Sequence, residues 1–161
     1  MGNAMEHGEL LRWLHSVGDG LLSDGTLGEY LDGLTAVPSA VSVAGSTVRI
    51  SPFIWRDFMP ICPPGGHPLI AGVKVAADPP SPAPLSIQAF RLVLVYGSTL
   101  WITGVVEEHG SRRNQSGFEV VAREGPKWEP GVLVDAVLEI RDGDGHSYLV
   151  RAAEQRIHRT S

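Results

Sequence analysis

The residues best suited to chemistry lie close together between Ser51 and Ile70, in the stretch SPFIWRDFMPICPPGGHPLI. This stretch holds the single cysteine of the chain, Cys62, together with Met59 and His67. Thiolate, imidazole and thioether groups are the ligands of small copper sites. A thiol can also act as a nucleophile when a neighbouring imidazole lowers its pKa. Metal binding and thiol catalysis are therefore the two chemistries that these residues suggest.

The spacing of the three residues favours neither chemistry. The order Met, Cys, His differs from the late Cys, His, Met cluster of the cupredoxins, and no second histidine lies in a matching strand. A metal site needs three or four converging ligands, and no third residue is placed to orient a Cys–His pair. We predict no catalytic residue, no metal and no cofactor. A small copper-type or thiol-dependent protein centred on Cys62, His67 and Met59 remains an alternative.

The acidic segment DGDGH, residues 142–146, looks like the start of a calcium-binding loop. Such a loop needs a bidentate glutamate at its twelfth position, and counting from Asp142 that position is Ala153. The same residues are typical of a hairpin turn, which is what we predict. A second polar group, EEH at 107–109, precedes the segment GSRRNQSG and is predicted to be a solvated loop.

Aromatic residues near loops are candidates for contact with a partner. Trp55 lies beside Arg56 and Asp57 at the predicted end of a strand, and Trp128 follows Lys127 in the loop REGPKWEPG. Exposed tryptophan is typical of protein contacts and can also stack on a sugar ring. Alternatively, each indole covers the open end of the core. We favour that interpretation for Trp55 and leave both open for Trp128.

The elements that must position these residues differ along the chain. Residues 1–38 hold two stretches of helical periodicity, 10–17 and 27–34, and Ser23-Asp24 can cap the second. Helices this short need burial to persist in water. We therefore expect this segment to pack on the following domain, or else on a partner.

Residues 39–161 form a second region, of short strands separated by turns. Pro52 is expected to place the middle of the first strand at an edge or a bulge, and the proline-rich segment 78–84 is a rigid connection. No helix separates the strands, so parallel βαβ units are excluded. Strands are predicted over 46–57, 68–77, 89–96, 99–107, 118–123, 132–141 and 146–153.

This pattern predicts a mainly β fold. The best match is an immunoglobulin-like antiparallel β-sandwich of seven or eight strands with a short helical N-terminal segment. A small β-barrel or jelly roll is the alternative.

The composition limits the partner and the compartment. The 161 residues carry a net charge of -5 with a pI of about 5.6, which offers nucleic acid no broad basic surface. The apolar runs are too short to span a membrane. One cysteine cannot form an internal disulfide. The chain as given contains no export signal, and the compartment is left open, since an exported or periplasmic location is possible if a leader was removed.

Together these observations predict a non-catalytic binding or interaction module that uses stiff loops bearing proline and aromatic residues. A protein partner or a second copy of the chain is expected first, and carbohydrate next. A structural domain of a larger envelope assembly is a further alternative. Sequence does not decide whether the 55–67 and 126–130 loops meet at one end. The predicted contact residues are Trp55, Arg56, Asp57, Met59, His67, Lys127 and Trp128.

Overall fold

The computed structural model describes residues 5–79, 86–108, 113–114 and 116–161. These residues form a mainly β structure with two short helices, so the predicted fold class is confirmed. The predicted connection 78–84 lies mostly outside the described residues. The elements are α1 (His7–Ser16), β1 (Gly20–Leu22), a 3-10 turn (Gly25–Leu27), α2 (Gly28–Thr35), β2 (Val41–Val43), β3 (Ser46–Asp57), β4 (Leu69–Asp78), β5 (Gln88–Tyr96), β6 (Thr99–Gly104), β7 (Gly117–Gly125), β8 (Leu133–Arg141) and β9 (Ser147–Thr160).

The described strands belong to one sheet. Their hydrogen-bonded order is β1-β6-β5-β8-β9-β3-β4-β7, and β2 pairs with β3 beside this path. Strand β9 has 14 residues, so its first part pairs with β8 and its last part with β3. The β3–β9 pair is parallel, which the antiparallel prediction did not anticipate, and the other strand pairs are antiparallel.

The sheet curls until its two sides meet. Val106, just after β6, donates its N–H to the carbonyl of Val121 in β7 at 3.0 Å and accepts the N–H of Val121 at 2.8 Å. This bridge closes a ring through β6, β5, β8, β9, β3, β4 and β7. The ring is closer to the small-barrel alternative than to two separate sheets, and the immunoglobulin-like detail is not confirmed.

The interior of the curled sheet holds the main core. Side chains alternate across a strand, so β3 turns Val48, Ile50 and Ile54 inward and leaves the residues between them more exposed. On one side of β3, the pairing with β2 ends at Val48 and the pairing with β9 begins at Ile54. Pro52 lies in the unpaired stretch between them. The prediction that Pro52 marks an edge is therefore confirmed. Other fully buried core residues include Val73, Leu94, Leu138, Ile140 and Val150.

The N-terminal helices cover the outer face of one side of this sheet. Leu10 and Leu14 of α1 and Leu34 of α2 are buried in a second apolar cluster. Asp24 accepts the N–H of Thr26 at 3.0 Å and so caps the 3-10 turn that leads into α2, whereas the N-cap residue of α2 itself, Leu27, makes no capping hydrogen bond through its side chain. The strand residues of this cluster are Val93, Val95, Leu100, Ile102, Val137 and Leu149. The division of the chain near residue 38 stays a prediction, since β1 joins the same sheet through β6.

The N-terminal segment also covers an open edge of β9. The Leu149 N–H donates to His7 Nε2 at 3.2 Å, and the Arg151 N–H donates to the Pro38 carbonyl at 3.0 Å. The Arg151 side chain adds a hydrogen bond to the Val37 carbonyl at 2.7 Å. Backbone groups that β3 does not reach are thereby paired, which protects an edge that would otherwise invite another strand.

Candidate functional site

Two loops meet at one end of the sheet around a buried arginine. The β3–β4 loop spans 58–68 and the β7–β8 loop spans 126–132. The Arg56 guanidinium donates from Nε to the His67 carbonyl at 3.0 Å and from a terminal nitrogen to the Gly65 carbonyl. Its other terminal nitrogen donates to the carbonyls of Lys127 at 3.3 Å and Trp128 at 3.2 Å. The two predicted contact loops therefore share one end of the sheet.

The position of Arg56 corrects its predicted role. We expected Arg56 to be an accessible contact residue, but it is only 2% exposed. Its place in the alternation of β3 turns it inward, where four loop carbonyls replace water as acceptors. A guanidinium carries five donors in a fixed fork, which suits this arrangement. Arg56 thus holds the loops in place and offers no surface of its own.

Other contacts hold the β3–β4 loop in one shape. Gly66 has a φ of 84°, and a Cβ there would lie 2.5 Å from the ring of Phe58. Phe58 itself lies beside two guanidinium carbons, 4.8 Å from that of Arg56 and 4.1 Å from that of Arg159. Asp57 Oδ1 accepts the Met59 N–H at 3.1 Å. These contacts constrain both ends of the loop.

The tips of these loops present apolar side chains to solvent. Ile61 is 94% exposed and Met59 is 48% exposed. Lys127 is exposed and donates from Nζ to the Pro64 carbonyl at 3.2 Å. Trp128 is half-buried: it packs against the core, and the centre of its ring lies 5.3 Å from that of Tyr96. We name Met59, Ile61, Lys127 and Trp128 the loop-end surface.

Trp55, Asp57 and His67 lie outside the loop-end surface, on the neighbouring outer face of the sheet. They line a groove of 220 Å³ on the outer face of the sheet, together with Ile70 and Arg123. The favoured interpretation that Trp55 covers the core is wrong. Trp55 follows Ile54, which points inward, so the alternation of β3 places its ring outside.

The outer face carries a row of aromatic rings that sequence reasoning missed. Phe53 is 50% exposed, and its ring stacks on His158 at 4.8 Å with 15° between the planes. The rings of Phe53 and Trp55 are 5.3 Å apart. The spacing of Phe53 and Trp55 at two residues in a strand could have revealed half of this row. His158 joins it only because β9 lies beside β3.

The DGDGH segment forms the predicted turn. Asp142 Oδ1 accepts the N–H groups of Asp144 at 2.9 Å and His146 at 3.0 Å, and Oδ2 accepts the Tyr148 hydroxyl at 3.2 Å. Burial acts to raise the pKa of Asp142, but these hydrogen bonds and one with the His146 ring outweigh it and lower the pKa. Asp142, Asp144 and His146 bring ligand atoms within 4.8 Å of one another. Since the turn already engages both oxygens of Asp142, we assign no cation here.

The alternative centred on Cys62, His67 and Met59 gains no support from the loop geometry. Cys62 and His67 are half-buried, and Met59 is exposed. In the described part of the chain, the DGDGH group is the one set of three His, Cys, Asp or Glu side chains with converging ligand atoms. Cys62 and His67 therefore have no third donor of these types beside them.

The acidic residues before the GSRRNQSG segment form ion pairs. Glu107 pairs with Arg113 at 2.5 Å and Glu108 pairs with Arg123 at 2.6 Å. The pairs are partly exposed, so each contributes only about 0–1 kcal/mol. His109 lies outside the described residues.

Comparison with known proteins gives this chain no relative. No protein-family model matches it, and neither a curated protein nor a solved structure is significantly similar to it. Within the described ranges, no helix combines the length and the apolar character needed to cross a membrane. Function is therefore inferred from the loop-end surface and the neighbouring outer face.

Proposed function

We propose that the protein is a non-catalytic binding module that recognises a protein partner through the loop-end surface. The observation that carries this proposal is the burial of Arg56 against carbonyl groups of both loops. One guanidinium fixes two loops relative to each other. A surface fixed before binding keeps most of its interaction free energy, because little conformational entropy is lost on association.

The side chains on this surface have the chemistry of a protein interface. Methionine and tryptophan are enriched at such interfaces, and lysine suits the polar rim. Isolated exposed apolar residues are ordinary. Here, however, Ile61 and Met59 stand on a loop that is tied to the Trp128 loop. The expected partner surface is an apolar patch that can surround Ile61.

The test compares a loop-end variant with a matched surface variant. The variant Met59→Ser/Ile61→Asp removes the apolar tips, and Leu21→Asp changes a side chain that is 55% exposed on β1. Each chain is immobilised, and bound proteins from the source cells are quantified by mass spectrometry. The strongest bound protein is then purified and titrated by calorimetry.

We expect the loop-end variant to lose affinity for that protein by at least about tenfold, since interface anchors commonly contribute more than 1 kcal/mol. Leu21→Asp should bind as the wild type does. Sedimentation velocity of the wild type and the two variants tests whether the partner is a second copy of this chain. Equal binding and equal oligomeric state in all three would overturn the proposal.

A further inference from the structure

We infer that the outer face of β3, β4 and β7 is a separate binding site, a groove that takes a neutral sugar ring. The groove has a volume of 450 Å³ and is lined by Phe53, Trp55, Gly72, Lys74, Glu119 and Val121. This volume lies within the range of about 300–1,000 Å³ that small-ligand sites occupy. The site shares no residue with the loop-end surface.

The wall of the groove is aromatic and open to solvent. Phe53 is 50% exposed and lies between the rings of Trp55 and His158, at 5.3 Å and 4.8 Å. The opposite half of the outer sheet is covered by α1 and α2, whereas no helix of the described residues covers these rings. Aromatic side chains that are exposed to solvent favour a ligand with an apolar face, such as the C–H face of a pyranose.

The floor of the groove is a glycine. Gly72 lies opposite Phe53 on β3 and opposite Val121 on β7. A Cβ at Gly72 would be 3.8 Å from the Trp55 ring, so any larger side chain would fill the space beside that ring. Glycine within a strand commonly marks a place where a ligand approaches the backbone. The absence of a side chain here is what makes the groove deep enough for a ring.

The rim of the groove supplies both hydrogen-bond donors and hydrogen-bond acceptors. Ser51, Lys74 and Glu119 lie side by side on β3, β4 and β7. Among the described residues, the side chains of Ser51, Lys74 and Glu119 form no hydrogen bond and no ion pair. A hydroxyl, an ammonium and a carboxylate are thus free to meet ligand groups that both donate and accept.

The charges of the rim select among ligands. Lys74 and Glu119 carry opposite charges at directly paired positions, so the rim has no net charge to attract an anion or a cation. The hydroxyls of a sugar can donate to Glu119 and accept from Lys74 at the same time. A neutral pyranose satisfies the aromatic wall and the polar rim together.

The experiment is an NMR titration of the full chain with cellotetraose, xylotetraose, maltotetraose and chitotetraose. The indole N–H of Trp55, assigned with Trp55→Phe, and the amide of Gly72 report on the groove. We expect at least one of these sugars to shift both signals. Gly72→Leu and Trp55→Ala should each weaken that binding by about tenfold or more. Tyr96→Ala removes an exposed ring elsewhere and should leave it unchanged.

Glu119→Gln keeps the shape of the rim and should also weaken sugar binding. It tests the groove even if the other variants fail to fold. The inference is overturned if none of the four sugars shifts the two signals. It is also overturned if free tryptophan binds there in place of the sugars, or if binding survives Gly72→Leu. Met59→Ser/Ile61→Asp should still bind the sugar, so this result is independent of the proposed protein partner.

Discussion

At the scale of single residues, Arg56 carries a charge into the end of the core and meets carbonyl groups there. Burying an ion is costly unless hydrogen bonds replace its water. The carbonyls of Gly65, His67, Lys127 and Trp128 do so, and the Phe58 ring lies against the guanidinium. In return, each carbonyl gains a charge-assisted hydrogen bond. Arg56 and the two loops therefore depend on one another.

Replacing Arg56 with methionine should destabilise the protein strongly. The side chain keeps its length, but four carbonyl groups lose a charged donor, and a hydrogen bond to a charged group contributes about 1.5–3 kcal/mol. We expect a loss of about 3 kcal/mol or more in the free energy of unfolding, measured by urea denaturation.

The control for this prediction is Arg49→Met on the same strand. Arg49 is exposed, so its replacement should change the free energy of unfolding by no more than about 0.5 kcal/mol. Similar losses in the two variants would show that Arg56 does not hold the loops.

At the scale of elements, the N-terminal segment performs two tasks for the sheet. Its helices bury the outer side chains of β5, β6 and β8, and its ends pair with the backbone of β9. His7 and His15 mark the two ends of α1 on this surface. His7 Nε2 accepts the Leu149 N–H, and His15 Nε2 lies 2.7 Å from the buried carboxylate of Glu139.

The attachment of α1 should weaken as the solution becomes acidic. Burial lowers the pKa of His7 below its ordinary value of 6.5. Between the two pKa values the folded state therefore binds fewer protons than the unfolded state. The free energy of unfolding is therefore highest above pH 6.5 and decreases as the pH falls toward the lower pKa of the folded state. The change should be small, because part of the side chain remains in water.

Hydrogen exchange of the Leu149 amide at about pH 7.5 and about pH 5.5 measures this effect after correction for intrinsic exchange rates. His7→Gln should remove most of the pH dependence, since glutamine does not titrate. His15→Gln, at the other end of α1, should leave the response of the Leu149 amide in place. An unchanged pH dependence in His7→Gln would rule out His7 as its source.

At the scale of the whole molecule, the described residues close the curled sheet at one place, between Val106 and Val121. Neighbouring strands elsewhere share several registered pairs, but β7 meets the segment after β6 through Val106 and Val121. Two backbone hydrogen bonds form this bridge. The side chain of Val106 is 61% exposed and adds little burial. Closure therefore rests on the backbone.

Val106→Pro should open this bridge. Proline removes the donor at residue 106 and fixes φ, so the bond to the Val121 carbonyl is lost. We expect the Val121 amide to exchange faster, with a loss of about 1 kcal/mol in the free energy of unfolding. Val106→Ala keeps the N–H and is the control. Slow exchange of Val121 in the proline variant would mean that the ring stays closed without this bridge.

The sequence alone determined the local elements. The strand over 46–57, the turn at DGDGH and the helical N-terminal segment were predicted because turn residues and side-chain periodicity are local properties. Strand β9 was predicted too short, because its end QRIHRT is mostly polar. Strands β1 and β2 are only 3 residues each, too few for a pattern.

Only the tertiary structure decided which elements meet. A sandwich and a curled ring show the same alternation of inward and outward residues, so the pattern along each strand does not choose between them. The parallel contact of β9 with β3 places His158 beside Trp55. The curled sheet likewise brings the carbonyls of Lys127 and Trp128, far along the chain, to the Arg56 guanidinium. Both candidate surfaces arise from such long-range neighbours. Hydrogen bonding and packing between distant segments set them, and no local pattern records those contacts.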